Sequence, residues 1–311
     1  MSARWQASDG RLLTATVHPA NEHLTATNVA HAAALPVVLL HGLSQQRRFW
    51  DPVVARMRSP LIATVDQRGH GDSLLPVDAD YGIERCALDV VELLDELGWQ
   101  QAVVVGHSWG ASVALHCAGS GRAAAVGLID GGLWGPSALG DREQVRERLR
   151  PPALGIPPAS LWALVESSSP WLGPEARAAL SHTFIVGEDG LIRTRIGVDR
   201  HMQVLDGLLD YRPDEDLQRL ACPAWAVVCE PAGSDGSTQD PWAVAKEQAI
   251  ERARAVPGLL IHRWMGAVHD VPLQWPALVA GFIDALRASV EPLDIAGQRP
   301  TVDGQAPGRP Q

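Results

Sequence analysis

The sequence predicts an α/β fold in which helices cover a mostly parallel sheet. Apolar runs at 36–40, 102–105 and 123–129 have the length and composition of strands buried on both faces, and helical spacing follows the first two. The alternation of strands and helices stops between 134 and 220 and then resumes. We therefore expect an α/β core that is interrupted by an insertion.

The core elements fall into two groups, one before and one after the insertion. Residues 4–7 and 12–17 are predicted to form a hairpin around a Ser-Asp-Gly turn. The further strands before the insertion are 36–40, 61–65, 102–105 and 123–129, and the helices are 49–57, 83–97 and 109–117. The elements after it are a strand at 223–229, a helix at 241–255, a strand at 259–264 and a helix at 276–288.

Three irregular segments set the domain boundaries. Residues 21–34 lack clear periodicity and are predicted to be a loop, and residues 292–311 are rich in Pro, Gly and Gln, which predicts disorder. The insertion has helical stretches at 142–149, 160–166, 175–181 and 199–209, and one extended piece at 192–196. We thus divide the chain into an α/β core (1–133 and 221–291), a helical insertion (134–220) and a disordered tail (292–311).

Bulk composition excludes several classes of function. The formal net charge of −10 argues against nucleic acid and anionic membranes as partners. The N-terminus lacks a signal-peptide core, and no stretch reaches the roughly 18 apolar residues of a membrane span. Four cysteines without CxxC spacing predict reduced thiols in a cytoplasmic protein and no metal site.

The most informative stretch is the G-x-S-x-G sequence from Gly106 to Gly110, which follows a β-branched run and precedes small, helix-tolerant residues. In such a strand–turn–helix the central residue adopts a strained conformation that exposes its side chain, and glycines flank it where a Cβ would collide with its neighbours. Ser108 would also lie at a helix N-terminus, which favours a developing anion. We interpret Ser108 as a nucleophile.

A serine nucleophile needs a base, and His269 is our candidate among eleven histidines. It lies in a loop after the last strand and before the last helix, at the carboxyl edge of the sheet. We expect structural roles for His107, beside the serine, and for His41. The backbone N–H groups of Leu43 and Trp109 are the natural pair of donors for a carbonyl oxygen that becomes negative.

Four motifs in order resemble those of the α/β-hydrolase superfamily. They are His41-Gly42 after a buried strand, Asp66-x-Arg-Gly-His-Gly-x-Ser73, the G-x-S-x-G sequence and His269 before the final helix. The resemblance covers about 4 to 290. It implies an eight-stranded, mostly parallel sheet with a helical cap, here 134–220, inserted after the sixth strand, and no metal or organic cofactor.

The acid position departs from the superfamily pattern. The family's acid usually follows the seventh strand in Gly-Glu-x-Asp, but here the strand runs into Cys-Glu-Pro-Ala, with Ala232 at the place of the aspartate. Some members carry the acid after the sixth strand, where Asp130 stands in this sequence. We rank Asp130 first, Glu230 second and Asp235 third.

These residues predict a serine hydrolase that cleaves an ester or lactone of a small, largely apolar substrate. Superfamily neighbours such as epoxide hydrolases use aspartate at the centre of the turn that here spans 106–110, which is called the nucleophile elbow, so the serine favours acyl chemistry. Trp134, Leu161 and Trp162 would line the substrate pocket, although tryptophans there could equally pack the insertion onto the core. Alternatives are a C–C bond hydrolase, an aminopeptidase or a perhydrolase on the same triad, or a non-catalytic ligand-binding or signalling protein.

Overall fold

The computed structural model of the chain describes residues 1–19, 35–59, 61–232 and 241–291. These ranges contain ten strands: β1 (Ser2–Gln6), β2 (Leu12–His18), β3 (Val37–Leu40), β4 (Ile62–Asp66), β5 (Ala102–His107), β6 (Ala123–Ile129), β7 (Phe184–Val186), β8 (Ile192–Thr194), β9 (Ala224–Glu230) and β10 (Leu259–Met265). Eight of them form one sheet in the order β1-β2-β4-β3-β5-β6-β9-β10. The pairs β1–β2 and β2–β4 are antiparallel, and all other neighbours are parallel. The predicted fold class is confirmed.

The parallel strands are apolar because both of their faces are covered. All four residues of β3 and all six residues of β5 are buried. Val38 and Val104 pack into a core on one face of the sheet, whereas Val37 and Val103 pack into a second core on the other face. Adjacent residues of one strand therefore serve opposite cores, as the pleat requires.

The described ranges contain eleven α-helices, most of which match a predicted helix with small changes of boundary. They are α1 (Asp51–Val54), α2 (Ile83–Glu96), α3 (Trp109–Cys117), α4 (Arg142–Arg148), α5 (Pro158–Ser168), α6 (Pro174–Ser181), α7 (Val198–Asp210), α8 (Pro213–Gln218), α9 (Pro241–Ala253), α10 (Val271–Gln274) and α11 (Pro276–Val290). No helix in the described ranges is both long and apolar enough to cross a membrane.

The predicted helix at 49–57 is wrong in form. The chain makes a 3-10 turn over Arg47–Trp50 and then the four-residue α1. Pro52 has no N–H to donate to the carbonyl four residues earlier, so a continuous α-helix cannot run through it.

The segment between β6 and β9 contributes no strand to the eight-stranded sheet. It holds α4 to α8 and the antiparallel pair β7–β8. Periodicity did not indicate β7 or α8, which are only three and six residues long. Within the segment, Val145 of α4 packs against Met202, Leu205 and Leu209 of α7. The predicted loop at 21–34 and the predicted tail at 292–311 lie outside the described residues.

Strand register brings the polar residues at the strand ends together. Leu40 of β3 pairs with Gly106 of β5, and His107 pairs with Ile129 of β6, which in turn pairs with Val227 of β9. The residues that follow these strands therefore meet at one edge of the sheet.

Candidate active site

Ser108 lies on a strained turn between β5 and α3. Its φ is 54° and its ψ is −119°, a conformation that costs an L-residue about 1–3 kcal/mol. A Cβ on Gly106 would lie 1.9 Å from the carbonyl O of Gly110, and one on Gly110 would lie 2.5 Å from the carbonyl O of His41. Both positions therefore need glycine, and the packing around them keeps Ser108 in its strained conformation.

The imidazole of His269 lies within hydrogen-bonding distance of the Ser108 hydroxyl. The distance from Nε2 of His269 to Oγ of Ser108 is 3.0 Å. The loop that carries His269 is held on both sides, because Nε2 of His107 donates to the His269 carbonyl O at 2.8 Å and Gln274 accepts from the Val268 amide at 2.8 Å. Burial lowers the pKa of His107 to about 4, so this imidazole is neutral near pH 7.

Asp130 completes a hydrogen-bonded chain with these two residues. Its Oδ2 accepts from Nδ1 of His269 at 2.7 Å, and its Oδ1 accepts from the Cys229 amide at 3.0 Å and from Nζ of Lys246 at 2.9 Å. Asp130 itself has a φ of 46°. The positive φ turns the chain immediately after β6, where the carboxylate lies between β9 and the His269 loop.

Glu230, the second candidate for the acid, lies elsewhere. It is the last residue of β9, and its carboxylate forms an ion pair with Arg263 of β10. Cys229, the residue before it, contacts Asp130 through its backbone amide, whereas the Glu230 side chain pairs with β10. The structure thus brings Asp130 and not Glu230 to His269. Asp235, the third candidate, lies outside the described residues.

The charges of the site favour an ionised Asp130 and a basic His269. Burial raises the pKa of Asp130, but the hydrogen bond from His269 and the charge of Lys246 outweigh it and lower this pKa to about 2. Desolvation lowers the pKa of His269, but the hydrogen bond to Asp130 and the charge of Asp130 raise it by more. The pKa of His269 therefore lies above its ordinary value. The His269 side chain keeps 56% of its surface exposed, which leaves it accessible to a ligand.

Leu43 and Trp109 lie on the two turns that approach each other at Ser108. A Cβ on Gly42 would lie 3.2 Å from Cβ of Ser108. The amides on either side of Leu43 are engaged, Gly42 with Oε1 of Gln45 at 3.0 Å and Ser44 with Nε2 of His70 at 3.2 Å. These two bonds fix the loop that carries the Leu43 amide, while the Trp109 amide is at the first position of α3, where intrahelical partners are absent.

A cavity of about 280 Å³ opens beside Ser108 and His269. Apart from the residues around Ser108, its walls are mainly apolar. They include Trp134, Pro136, Leu149, Leu205, Leu208 and Trp242, together with His201.

Two of the three predicted pocket residues lie away from this cavity. Trp134 lines it, but Leu161 and Trp162 do not. The rings of Trp162 and Phe184 meet edge to face with their centroids 6.2 Å apart. The guanidinium carbon of Arg177 lies 4.6 Å from the centroid of the Trp162 ring. These contacts are with α6 and β7, so Trp162 packs elements of the insertion together.

Sequence reasoning missed Lys246, Trp242 and His201. Lys246 and Trp242 lie on α9, and His201 lies on α7, far along the chain from Ser108. The signal for Lys246 was its rarity, since it is the only lysine in the sequence. Among the described residues, no three His, Cys, Asp or Glu side chains are grouped so that they could hold a metal ion.

Comparisons with known proteins give relatives of several activities. The chain is 36% identical over 95 residues to the soluble epoxide hydrolase of Corynebacterium sp. (strain C12). The aligned stretch covers 30% of this chain and 33% of that protein. It is 28% identical over 210 residues to the putative carbamate hydrolase RutD of Shigella flexneri serotype X, which is 66% of this chain and 76% of that protein. Several other curated relatives match over only 23% to 41% of their length.

Solved structures show the same fold. The crystal structure of E-2-(acetamidomethylene)succinate hydrolase superposes with a TM-score of 0.70 at 21% identity, over 92% of this chain and 98% of that one. A family model described as the alpha/beta hydrolase family matches residues 37–282, which include Ser108, Asp130 and His269. The chain therefore belongs to the alpha/beta hydrolase family.

Proposed function

We propose that this protein is a serine hydrolase that cleaves a carboxylic ester or lactone through an acyl-enzyme. The observation that carries the proposal is the continuous hydrogen-bonded chain from Oγ of Ser108 through His269 to Asp130 at the mouth of an apolar cavity. A hydroxyl, a base and a buried carboxylate in this order are the parts that nucleophilic acyl transfer needs.

The reaction would proceed in two halves. Oγ of Ser108 attacks the substrate carbonyl carbon while Nε2 of His269 takes the hydroxyl proton, and Asp130 stabilises the resulting imidazolium. The amides of Leu43 and Trp109 stabilise the oxyanion, and His269 then protonates the leaving alkoxide. A water molecule, deprotonated by His269, then attacks the acyl-enzyme carbonyl. The bond to Oγ breaks, His269 returns the proton to Oγ of Ser108, and the acid is released.

The chemistry of the nucleophile argues against epoxide opening, although some relatives bear that name. A carboxylate that attacks an epoxide carbon gives an ester, which water can hydrolyse. Serine attack would give an ether, which lacks an electrophilic carbonyl and would leave the enzyme permanently alkylated. Esters and carbamates both present a carbonyl, so the similarity to a carbamate hydrolase agrees with acyl chemistry.

The cavity favours a small acyl group without charge. Its volume lies at the lower end of the range of ligand pockets, and its described lining contains no arginine or lysine that would bind a carboxylate. Both oxygens of Asp130 are engaged, which leaves it unsuited to binding the ammonium group of a peptide. We propose that the segment 134–220 is the cap that supplies Trp134, Leu149 and Leu205 to this cavity.

Labelling with a fluorophosphonate probe, followed by mass mapping of the modified peptide, tests the proposal. We expect modification of Ser108, and we expect p-nitrophenyl acetate and butyrate to be hydrolysed faster than the laurate. Ser108→Ala and His269→Ala should each abolish turnover with an unchanged circular dichroism spectrum, whereas Ser120→Ala, outside the cavity, should keep both labelling and turnover. Turnover that survives Ser108→Ala would overturn the proposal, and saturable ligand binding without labelling would favour a binding protein.

A further inference from the structure

Lys246 occupies an unusual place in this chain. All other members of the 26 Lys and Arg residues are arginines, and the single lysine lies on α9 in contact with Asp130, 116 residues away in sequence. Arginines dominate the surface ion pairs, such as those of Arg142, Arg193 and Arg252. The compact ammonium group of lysine is thus found at the carboxylate that contacts His269.

Three contacts fix the ammonium group. Nζ donates to Oδ1 of Asp130 at 2.9 Å and to the carbonyl O of Cys229 at 2.8 Å, and it lies 4.9 Å from the centroid of the Trp134 ring. Only 15% of the Lys246 side chain is exposed. An ammonium group has three N–H donors, and the two oxygen acceptors and the aromatic face match them in number.

These contacts give the two oxygens of the Asp130 carboxylate different partners. Lys246 and the Cys229 amide bind Oδ1, which leaves Oδ2 directed at Nδ1 of His269. Asp130 is 6% exposed, and burial by itself favours the protonated, uncharged form of a carboxyl group. A protonated or rotated Asp130 would not hold His269 in the tautomer that presents Nε2 to Ser108.

We propose that Lys246 is a positioning residue of this site: its hydrogen bond to Oδ1 keeps Oδ2 of Asp130 aimed at His269, and its positive charge offsets part of the negative charge that Asp130 presents to the imidazole. The consequence for turnover rests on the proposed function. The effect on the ionisation of His269 does not, because it can be measured without a substrate.

The sign of the effect follows from the charges around His269. Asp130 and Asp270 raise its pKa, whereas the charge of Lys246 lowers it. Burial keeps His107 and His201 neutral, with a pKa of about 4 each, and raises the pKa of the Cys229 thiol, so none of the three adds a charge near neutral pH. Glu247, which follows Lys246 on α9, is paired with Arg263. A variant that loses the lysine charge but keeps a hydrogen bond to Oδ1 of Asp130 should therefore have a raised His269 pKa.

The experiment compares Lys246→Gln, which keeps a hydrogen-bond donor but loses the charge, with Lys246→Arg, which keeps the charge. Arg263→Gln is the matched control, because it removes another cation that contacts α9 without touching Asp130. The pKa of His269 is followed by NMR of ¹³C-labelled histidine, and the pH dependence of kcat/KM for p-nitrophenyl acetate is measured in parallel.

We expect Lys246→Gln to raise the pKa of His269 by about one unit, the size of shift that a nearby charge produces. The acid limb of the kcat/KM profile should move to higher pH by the same amount. Lys246→Arg, which keeps the charge, should leave the pKa of His269 close to its wild-type value, and Arg263→Gln should leave it unchanged. A folded Lys246→Gln variant with the His269 pKa of the wild type would overturn the proposal. A shifted His269 pKa in a protein that hydrolyses no ester would instead count against the proposed function alone.

A measurement on the wild type makes the test independent of folding in the variants. Lysine labelled with ¹³C at Cε gives one signal, since the chain has one lysine. We expect this signal to move as His269 titrates, because Asp130 contacts both groups. A lysine signal that shows no step at the His269 midpoint would contradict the coupling.

Discussion

Three residues carry positive φ angles without being glycine in the described part of the chain. They are Ser44, Ser108 and Asp130, and all three lie on the loops that surround the cavity. Each conformation costs free energy that the surrounding packing must supply, so the strain is concentrated at the candidate site. Ser44 is held by a 2.7 Å hydrogen bond between its Oγ and Nδ1 of His201, which connects the Leu43 loop to α7.

At the scale of the residue, the choice between two acids can be tested directly. Asp130→Asn keeps the shape of the side chain but removes the charge that stabilises the His269 imidazolium. We expect kcat to fall by about 10⁴-fold, as it does when the acid of a comparable triad is replaced by its amide. Glu230→Gln, which breaks only the ion pair with Arg263, should retain wild-type kcat; a large loss in this variant with full activity in Asp130→Asn would reverse the assignment.

The same substitution should also move the pH profile in a defined direction. His269 must be neutral to act as a base, so activity is present above its pKa and is lost as the pH falls through it. The hydrogen bond and charge of Asp130 raise this pKa. The residual activity of Asp130→Asn should therefore extend to lower pH than that of the wild type, the opposite of the shift expected for Lys246→Gln.

At the scale of the element, the turn between β5 and α3 depends on close backbone contact. We expect Gly106→Ala to lower the free energy of unfolding by about 3 kcal/mol or more, because its Cβ would overlap the backbone of Gly110 and Ala111, which cannot move without displacing α3. Gly119→Ala, two residues after α3, is the matched control. Its Cβ would have 3.9 Å to the nearest backbone atom, and its stability should change by less than about 1 kcal/mol. Urea denaturation of both variants measures the difference.

At the scale of the whole molecule, a buried ion pair ties the N-terminal hairpin to the loop after β4 and to α2. Arg68 is fully buried, and its guanidinium donates to both oxygens of Asp89 at 2.6 and 2.7 Å and to Oδ2 of Asp9 at 3.1 Å. Burial raises the pKa of the Asp89 carboxyl even though Arg68 and Arg85 oppose this. The pair thus holds a carboxylate that would be costly to leave without a partner.

We expect Arg68→Met to lower the free energy of unfolding by about 3 kcal/mol, because Asp89 loses its buried partner. The loss is at the low end for a buried ion pair because Arg85 still contacts Asp89. Arg150→Met removes an exposed pair with Glu147 and should cost less than about 1 kcal/mol. Urea midpoints at an unchanged m-value measure both changes. Equal losses in the two variants would mean that burial does not distinguish these ion pairs.

Much of the fold was predictable because its signals are local. Apolar runs of strand length and the helical stripe at 83–97 depend on neighbours within one element, and β6 at Ala123–Ile129 agrees with its predicted bounds. The elbow and its strained serine follow from five consecutive residues. The chain order of strands then places Ser108 and His269 at one edge of the sheet, because parallel strands end there.

The tertiary structure decided what depends on the direction of side chains across distant segments. Asp130 follows β6 and Glu230 ends the neighbouring strand β9. Only the packing of these strands against the His269 loop and β10 places Asp130 beside His269 and Glu230 beside Arg263. Lys246 meets Asp130 across 116 residues, and Trp162 is drawn to Phe184 and away from the cavity. The sequence by itself determined the fold class and the positions of Ser108 and His269, since these follow from local patterns and strand order. Packing between separate elements determined the partners of the acid and the walls of the cavity, because no local pattern encodes which side chains face each other.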